Sequence, residues 1–359
     1  MPKTLKQRRS IHTTTMTNNN NDFEPVENRH EIIAAYDAID TNPNGDPRSP
    51  ENEPRIDNQT QQAVVTDVRF KRYIRDQLIA DGYPIYVKKV DGDHHARDFL
   101  IDDVLEPVKE ELRKDDIDAE EIRRLLTDNA TDIRMFGAAL SVSGDTEAAD
   151  IVKGVVSNLT GPVQFSPARS LNEVVLNDEY SKLTSVISTQ EGSGGGSFAT
   201  DKRLKYAFIP FSGVVDPYAA QKTNLRRDDV ERLDTLCWRA VQNQTLSRSK
   251  YGHTPRLYLR VEYDGDYYIG RLSDDLSLDT ELSKPSEQIR SVSDMVVNVD
   301  DLVEQLEQNS NNIQSVAFNA DPRLEVSYDG DVYTADELPS IVDSVEFQTI
   351  DVKEYPTAE

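Results

Sequence analysis

HEIIAAYDAI at residues 30–39 runs into NPNGDPRSPENEPRIDNQT at 42–60 and then VTDVRFKRYIRD at 65–76. The first piece is a β-rich apolar run ahead of turn residues, and it reads as a buried strand. The four prolines and one glycine of 42–60 forbid a regular element. A loop of that length inside a compact domain is usually functional or disordered. The third piece predicts a helix. Thr66 is its expected N-cap, and Asp67 suits the positive helix end. Phe70, Ile74 and Leu78 recur at i+4 as a core stripe, and Gly82 and Pro84 stop the helix.

Further along, residues 98–129 look helical and acidic with one apolar face. Short strands are expected around 133–140, 163–165, 183–188 and 206–215. Between the last two lies EGSGGGSFATDKRLK at 191–205, a Gly/Ser-rich tip that predicts a long hairpin with a mobile end. Residues 228–242 predict a second helix, with Val230, Leu233, Leu236, Cys237 and Ala240 on one side. RLYLRVEY at 256–263 alternates as a strand. Without the insertions the order is strand, helix, strand, strand, helix, strand, an α+β chain in the split βαβ, ferredoxin-like order. YDGDYY at 263–268 and YDGDVY at 328–333 predict two hairpins with Asp-Gly turns. Residues 1–27 read as a flexible polar arm, and Met16 is a second possible start.

The chain has 359 residues, enough for one large or two modest domains. Its single cysteine, Cys237, excludes an internal disulfide framework and a multi-cysteine zinc site. No apolar run approaches a membrane span, and no apolar segment follows the basic residues near the start, so a soluble, cytoplasmic protein without membrane partners is expected. Lysine and arginine number 40 against 65 acidic residues, a net charge of −25. The excess is spread rather than blocked, as expected for a surface that stays hydrated in a salt-rich cytoplasm. It is also uneven. Residues 262–359 hold 5 basic and 24 acidic groups (net −19), while residues 1–261 hold 35 and 41 (net −6). A nucleic-acid surface therefore belongs to the first two thirds.

Three basic clusters and one amide-rich loop stand out there. Arg69, Lys71, Arg72 and Arg75 sit at i, i+3 and i+4 spacings that track a phosphate backbone, or else form a solvated helix face. SRSKYGHTPRLYLR at 247–260 interleaves Tyr251 and His253 with cations and contains no acid, a pattern suited to single-stranded nucleic acid. Lys202, Arg203 and Lys205 lie at the base of the glycine-rich tip. The loop Asn42–Asp46 offers amides that could clamp a phosphate, or plain turn chemistry. Catalytic patterns are poor, with no G-x-S-x-G, P-loop or H-E-x-x-H. His94 and His95 fall in a turn-like DGDHHARD segment, and Asp37, Asp40 and Asp46 offer at most a weak Mg²⁺ set.

Six motifs occur in one order: NPNGDP (42–47), NEPR (52–55), VTDVRFKRYIRD (65–76), DIRMFG (132–137), GPVQFSPARSLN (161–172) and KYAFIPFSGVVDPYAA (205–220). Over roughly residues 28–265 the chain resembles the backbone subunit of the type I CRISPR Cascade complex, most like subtype I-B. The resemblance implies an RRM-like (ferredoxin-like) palm over 28–265. It would carry helical finger insertions at about 42–62 and 83–131 and a β-hairpin thumb at about 184–215, with 266–359 as an acidic extension packing on or near the palm. It implies a non-enzymatic subunit without cofactor or metal. Its copies line up head to tail along one guide crRNA, beside other Cascade subunits, and display the guide for pairing with target DNA. Asn42, Asn44, Asp46, Arg55, Lys71, Arg72 and Arg75 would be guide contacts or their supports. Lys202, Arg203 and Lys205 would belong to the thumb, and Arg169, Arg248 and Lys250 would line the groove. Related type III subunits cut RNA with an Asp after the first palm strand, so a metal-dependent endoribonuclease using Asp40 or Asp46 is the alternative. An acidic interaction module without RNA is the second. In molar salt the screening length is ~3 Å, so guide affinity is expected from close contacts and avidity along a filament.

Overall fold

The computed structural model describes residues 24–49, 51–87, 118–139, 158–177, 182–186, 197–245, 249–353, 355 and 357. The expectations for residues 1–23, 88–117 (with His94, His95 and most of the helix expected over 98–129), the glycine-rich tip at 191–196 and Arg248 lie outside the described residues. Of the arm expected over 1–27, residues 24–27 are held, with Val26 buried and Pro25 bridging Arg226.

Strand β1 (His30–Thr41) is followed by β2 (Gln62–Val65) and helix α1 (Asp67–Ala80). Phe70, Ile74 and Leu78 are buried as the i+4 stripe requires. Thr66 is the N-cap residue, but its side chain does not cap the helix; its hydroxyl donates to Asn44 Oδ1 at 2.9 Å instead. Helix α2 (Ala119–Asn129) is capped by Asp118, which accepts from the amides of Glu120 and Glu121. The strand expected at 133–140 is instead helix α3 (Thr131–Phe136) followed by β3 (Gly137–Ala139). All six residues of α3 are buried, including Asp132 and Arg134, so no alternation of faces marks the segment in sequence. β3 pairs with β4 (Asn158–Thr160). A Cβ on Gly161 would lie 2.1 Å from the Phe136 carbonyl carbon, which is why two of the motifs meet at glycine.

β5 (Val163–Phe165) and β6 (Ala168–Glu173) precede the hairpin of β7 (Lys182–Val186) with β8 (Ser197–Thr200). Strand β9 (Leu204–Val215) does not belong to that hairpin. It pairs with β1 and β5, and its largely apolar sequence is buried between them. The thumb expected to reach residue 215 therefore overlaps a central sheet strand. Short α4 (Pro217–Thr223) and long α5 (Arg227–Gln242) lead to β10 (His253–Tyr263). Val230, Leu233, Leu236, Cys237 and Ala240 are all buried on α5.

The main sheet is completed by β13 (Ile313–Ala320) and β16 (Phe347–Thr349), giving the order β16-β13-β10-β1-β9-β5. β1 lies antiparallel to both neighbours, and Ala34 stands opposite Tyr258 and Phe211. Its side chains divide by parity. Ile32, Ala34, Tyr36 and Ala38 pack toward α1 and α5. Ile33 and Ala35 pack toward the C-terminal third, against a core that includes Leu302, Val326 and Leu338. Burial on both faces explains the unbroken apolar reading of 30–39. A four-stranded sheet, β11 (Ser277–Leu278), β12 (Val296–Asn298), β14 (Glu325–Tyr328) and β15 (Asp331–Thr334), carries that second core with α6 (Asp300–Gln308) and α7 (Leu338–Ile341). The hairpin expected at 328–333 forms, with Asp329 and Gly330 at φ 49° and 83°. The one expected at 263–268 does not. β10 ends at Tyr263, and the chain is drawn back to β1, where Gly270 N donates to Glu31 Oε2 at 2.9 Å.

Buried arginine–aspartate pairs join the layers. Arg256 (β10) bridges Asp37 (β1) at 2.7 Å and Asp321 at 2.6 Å. Arg260 (β10) forks onto Asp234 (α5) at 2.7 and 2.8 Å, and Tyr258 donates to the same carboxylate. Arg134 joins α3 to Asp229 of α5, and Arg239 of α5 grips Asp81 at the end of α1. Removing one partner of such a pair strands the other charge, at about 3–5 kcal/mol. Asp234→Ala is therefore expected to lower the unfolding free energy by about that amount, measured by denaturant titration at fixed salt. Added salt should not restore the stability, because buried charges are poorly screened. A loss below about 1 kcal/mol, as for a surface ion pair, would contradict this.

Candidate nucleic-acid interface

At one end of the main sheet, β1 terminates while β9 and β10 begin, and the 42–57 loop closes over this end. Asp40, at φ 50°, turns the chain out of β1. The loop folds back on itself. Gly45 bridges Pro54, Asp46 N donates to Glu53 O at 2.7 Å, and Asn42 Nδ2 donates to Asn52 O at 2.6 Å. Asn44 is the hub. Its Oδ1 accepts from Thr66 N and Thr66 Oγ1, and its carbonyl accepts from Arg55 N at 3.1 Å. Asn42 and Asn44 are buried and hold the loop to itself and to the start of α1, so they act as supports.

The cations separate into two groups. Lys71 donates to Gln164 at 2.6 Å and lies 3.5 Å from Asp67; burial, partly offset by Asp67, pulls its pKa down. Arg75 is tied to the fully buried Asp132 at 2.8 Å and lies over the Phe136 ring. Arg72 pairs with Asp76 at 2.7 Å. Arg169 pairs with Asp57, Arg203 with Asp201, and Lys202 with Glu51 and Glu53, which raise its pKa. These side chains already have acidic partners. Arg55, Arg69, Lys205 and Lys250 form the other group, with no carboxylate within 4.0 Å among the described residues. Arg55 Nε is buried without a hydrogen-bond partner. Lys205 is the second residue of β9, beside the end of β1, where Leu204 stands opposite Thr41. Arg69 lies on the first turn of α1, and its charge acts on Tyr36, Tyr73, Lys250 and His253. The i, i+3 spacing marked Arg69 as one of a row but did not single it out.

Lys250 and His253 sit on the turn that enters β10. Lys250 Nζ donates to the Asn42 carbonyl. Burial, reinforced by the nearby Arg69 charge, pulls its pKa down to about 7. His253 is fully enclosed against the rings of Tyr36 and Tyr73. Burial, with Lys250 and Arg69 beside it, keeps it neutral by lowering its pKa well below the usual histidine range. Its interleaving with cations in the sequence therefore does not expose it; only Tyr251 of that pair reaches solvent. Tyr36 Oη, Thr41 Oγ1, Asn42 Oδ1 and both His253 nitrogens are buried without partners among the described residues.

The three carboxylates of the proposed metal set are engaged separately. Asp37 is fully buried on Arg256, and burial pushes its carboxyl up against the pull of that arginine. Asp40 accepts from Asn177 Nδ2. Asp46 is held by Arg48, which lowers its pKa to about 2. No group of three metal-ligating side chains occurs among the described residues. No helix among them is long and apolar enough to cross a membrane.

Arg55, Arg69 and Lys205, with no carboxylate within 4.0 Å among the described residues, belong to the elements at one end of the main sheet in a chain of net charge −25. The chain belongs to the Cas7 family: residues 28–300 match the family model described as "CRISPR-associated protein Cas7". It is 48% identical over 320 residues to the CRISPR-associated protein Cas7 of Haloferax volcanii, covering 87% of this chain and 92% of that one. Among solved structures it is similar to a chain of a "CRISPR RNA-guided surveillance complex, pre-nicking" (TM-score 0.44, 12% identity, 88% of this chain and 100% of that one). A second is a chain of a "CRISPR RNA-guided surveillance complex" (TM-score 0.41, 14% identity, 88% and 97%).

The low pKa of Lys250 has a thermodynamic consequence. An unfolded lysine titrates near ~10.4, so between about pH 7 and that value the unfolded chain binds the extra proton. Stability is then expected to rise with pH across this window, and to rise less steeply in Lys250→Met. Denaturant midpoints at pH 7 and 9 read the difference. Identical pH slopes in the two proteins would contradict the burial of Lys250 as an uncompensated cation.

Proposed function

We propose that this chain is a non-catalytic guide-RNA-binding subunit of a type I CRISPR surveillance complex, most like subtype I-B. Copies of it line up along one crRNA with other subunits and present the guide for pairing with target DNA. The observation that carries this reading is the set Arg55, Arg69 and Lys205, without acidic partners among the described residues, around the 42–57 loop of a Cas7-family chain. Such cations gain most from a phosphate backbone, because no internal ion pair has to break first.

Four strands, β10-β1-β9-β5, with α1 after the first in the chain and α5 after the third, support an RRM-like palm. The 42–62 and 83–131 segments are then its fingers, the β7–β8 hairpin its thumb, and 266–359 its extension. RRM domains stack bases on an open sheet face. Here one sheet face packs on α1 and α5 and the other on the C-terminal third, so contact falls to the loops at the strand ends. The separate engagement of Asp37, Asp40 and Asp46 supports holding RNA rather than cutting it.

Purification in high salt followed by sequencing of the bound nucleic acid tests this. Discrete small RNAs with a constant repeat-derived end, at several protein copies per RNA, are expected. Absence of RNA, or a random mixture that washes off, would overturn the reading. RNA cutting that is lost in Asp40→Ala or Asp46→Ala would replace it with a nuclease. With single-stranded RNA, Arg55→Gln and Arg69→Gln should each lower the slope of log K against log salt by about 0.7. Arg72→Gln, whose charge already meets Asp76, should change it far less. An equal effect at all three positions would show that internal pairing does not decide which cations bind.

A further inference from the structure

Tyr251 is the most exposed large apolar side chain among the described residues, at 71% of its full accessibility. The other exposed tyrosines with polar or cationic neighbours are accounted for. Tyr218 donates to Asp266, Tyr268 lies under Arg29, and Tyr355 lies against Arg239. Tyr251 makes no such contact among the described residues.

The turn that carries it is rigidly held. Asn42 N donates to Ser249 O at 3.0 Å, Ile39 N to Gly252 O at 3.1 Å, and His253 N to Lys250 O at 3.1 Å. Gly252 has φ +134°, and a Cβ there would lie 2.5 Å from the Ile39 carbonyl oxygen, so the turn closes on β1 only with glycine. The neighbouring residue in the turn, Lys250, is buried beneath Asn42, and Arg69 stands close enough to lower its pKa. An aromatic ring is thus presented to solvent on a fixed support, next to cations without carboxylate partners.

We propose that Tyr251 is a base-stacking platform: its ring receives one unpaired base of single-stranded RNA while Arg69 and Arg55 meet the flanking phosphates. This rests on the RNA-binding reading above and adds a base subsite to it. Every nucleobase offers a π face, so the contact tolerates any sequence. It is also insensitive to salt, which suits a protein working where long-range attraction is screened.

The test uses the full chain and single-stranded RNA oligonucleotides that carry 2-aminopurine at successive positions. Wild type and Tyr251→Phe should quench the fluorophore at a subset of positions. Tyr251→Leu should lose that quenching and bind about 5- to 100-fold more weakly. The salt slope of Tyr251→Leu should match wild type, whereas that of Arg69→Gln should fall. Tyr251 is on the surface, and unchanged melting temperatures check that the variants fold. If wild type binds RNA and Tyr251→Leu binds and quenches equally well, the stacking proposal fails while the RNA-binding reading stands. If wild type binds no RNA, both fail. An altered oligomeric state of Tyr251→Leu with unchanged RNA affinity would make the residue a protein contact and also overturn the proposal.

Discussion

Helix α5 is fastened to the rest of the molecule by buried arginine–aspartate pairs, and the architecture depends on them. Asp229, Asp234 and Arg239 reach α3, β10 and the end of α1 respectively. Arg256 adds the link from β1 and β10 to the C-terminal third through Asp37 and Asp321. These contacts are inaccessible to bulk ions, so they persist at salt concentrations that cancel exposed pairs. Many of the cations of this acidic chain are carried inside or against acids.

The site follows from that constraint. Lys71 and Arg75, at neighbouring positions on α1, look in sequence like Arg69, but Gln164, Asp67 and Asp132 hold them within the fold. They pack near the end of the sheet where Arg69, Arg55 and Lys205 have no carboxylate within 4.0 Å among the described residues and where Lys250 is buried against the Asn42 carbonyl. The 42–57 loop is a brace as well, its Asn44 joining Arg55 to the start of α1. Within one group of motifs, the structure separates cations paired with acids from those without a carboxylate within 4.0 Å among the described residues.

Much of the fold was legible because its periodicities are clean. The i+4 stripe of α1, the apolar side of α5, and the strands β1 and β10 were all visible in the residues. Helix α3 was not, because a six-residue segment buried on every side shows no period. The Asp-Gly turn at 264–265 resembles the one at 329–330, but distant contacts hold it to Arg29, Asn28 and Asn312, and Glu31 holds Gly270. Strand β9 looked like half of a hairpin because its true partners, β1 and β5, are distant in sequence. At the candidate site, the basic positions are visible in the sequence but their pairing is not. Whether a cation is paired depends on acids such as Asp132, 57 residues from Arg75. His253 seemed available among its basic neighbours, yet Tyr36 and Tyr73 enclose it.

Ultraviolet cross-linking of RNA retained by the native full-length protein, followed by mass spectrometry of the cross-linked peptides, tests the central claim most directly. The account predicts adducts concentrated in the 42–57 loop, the first turn of α1 and the 249–253 turn. Cross-links confined to residues 262–359, or to the outer face of α2, would contradict it.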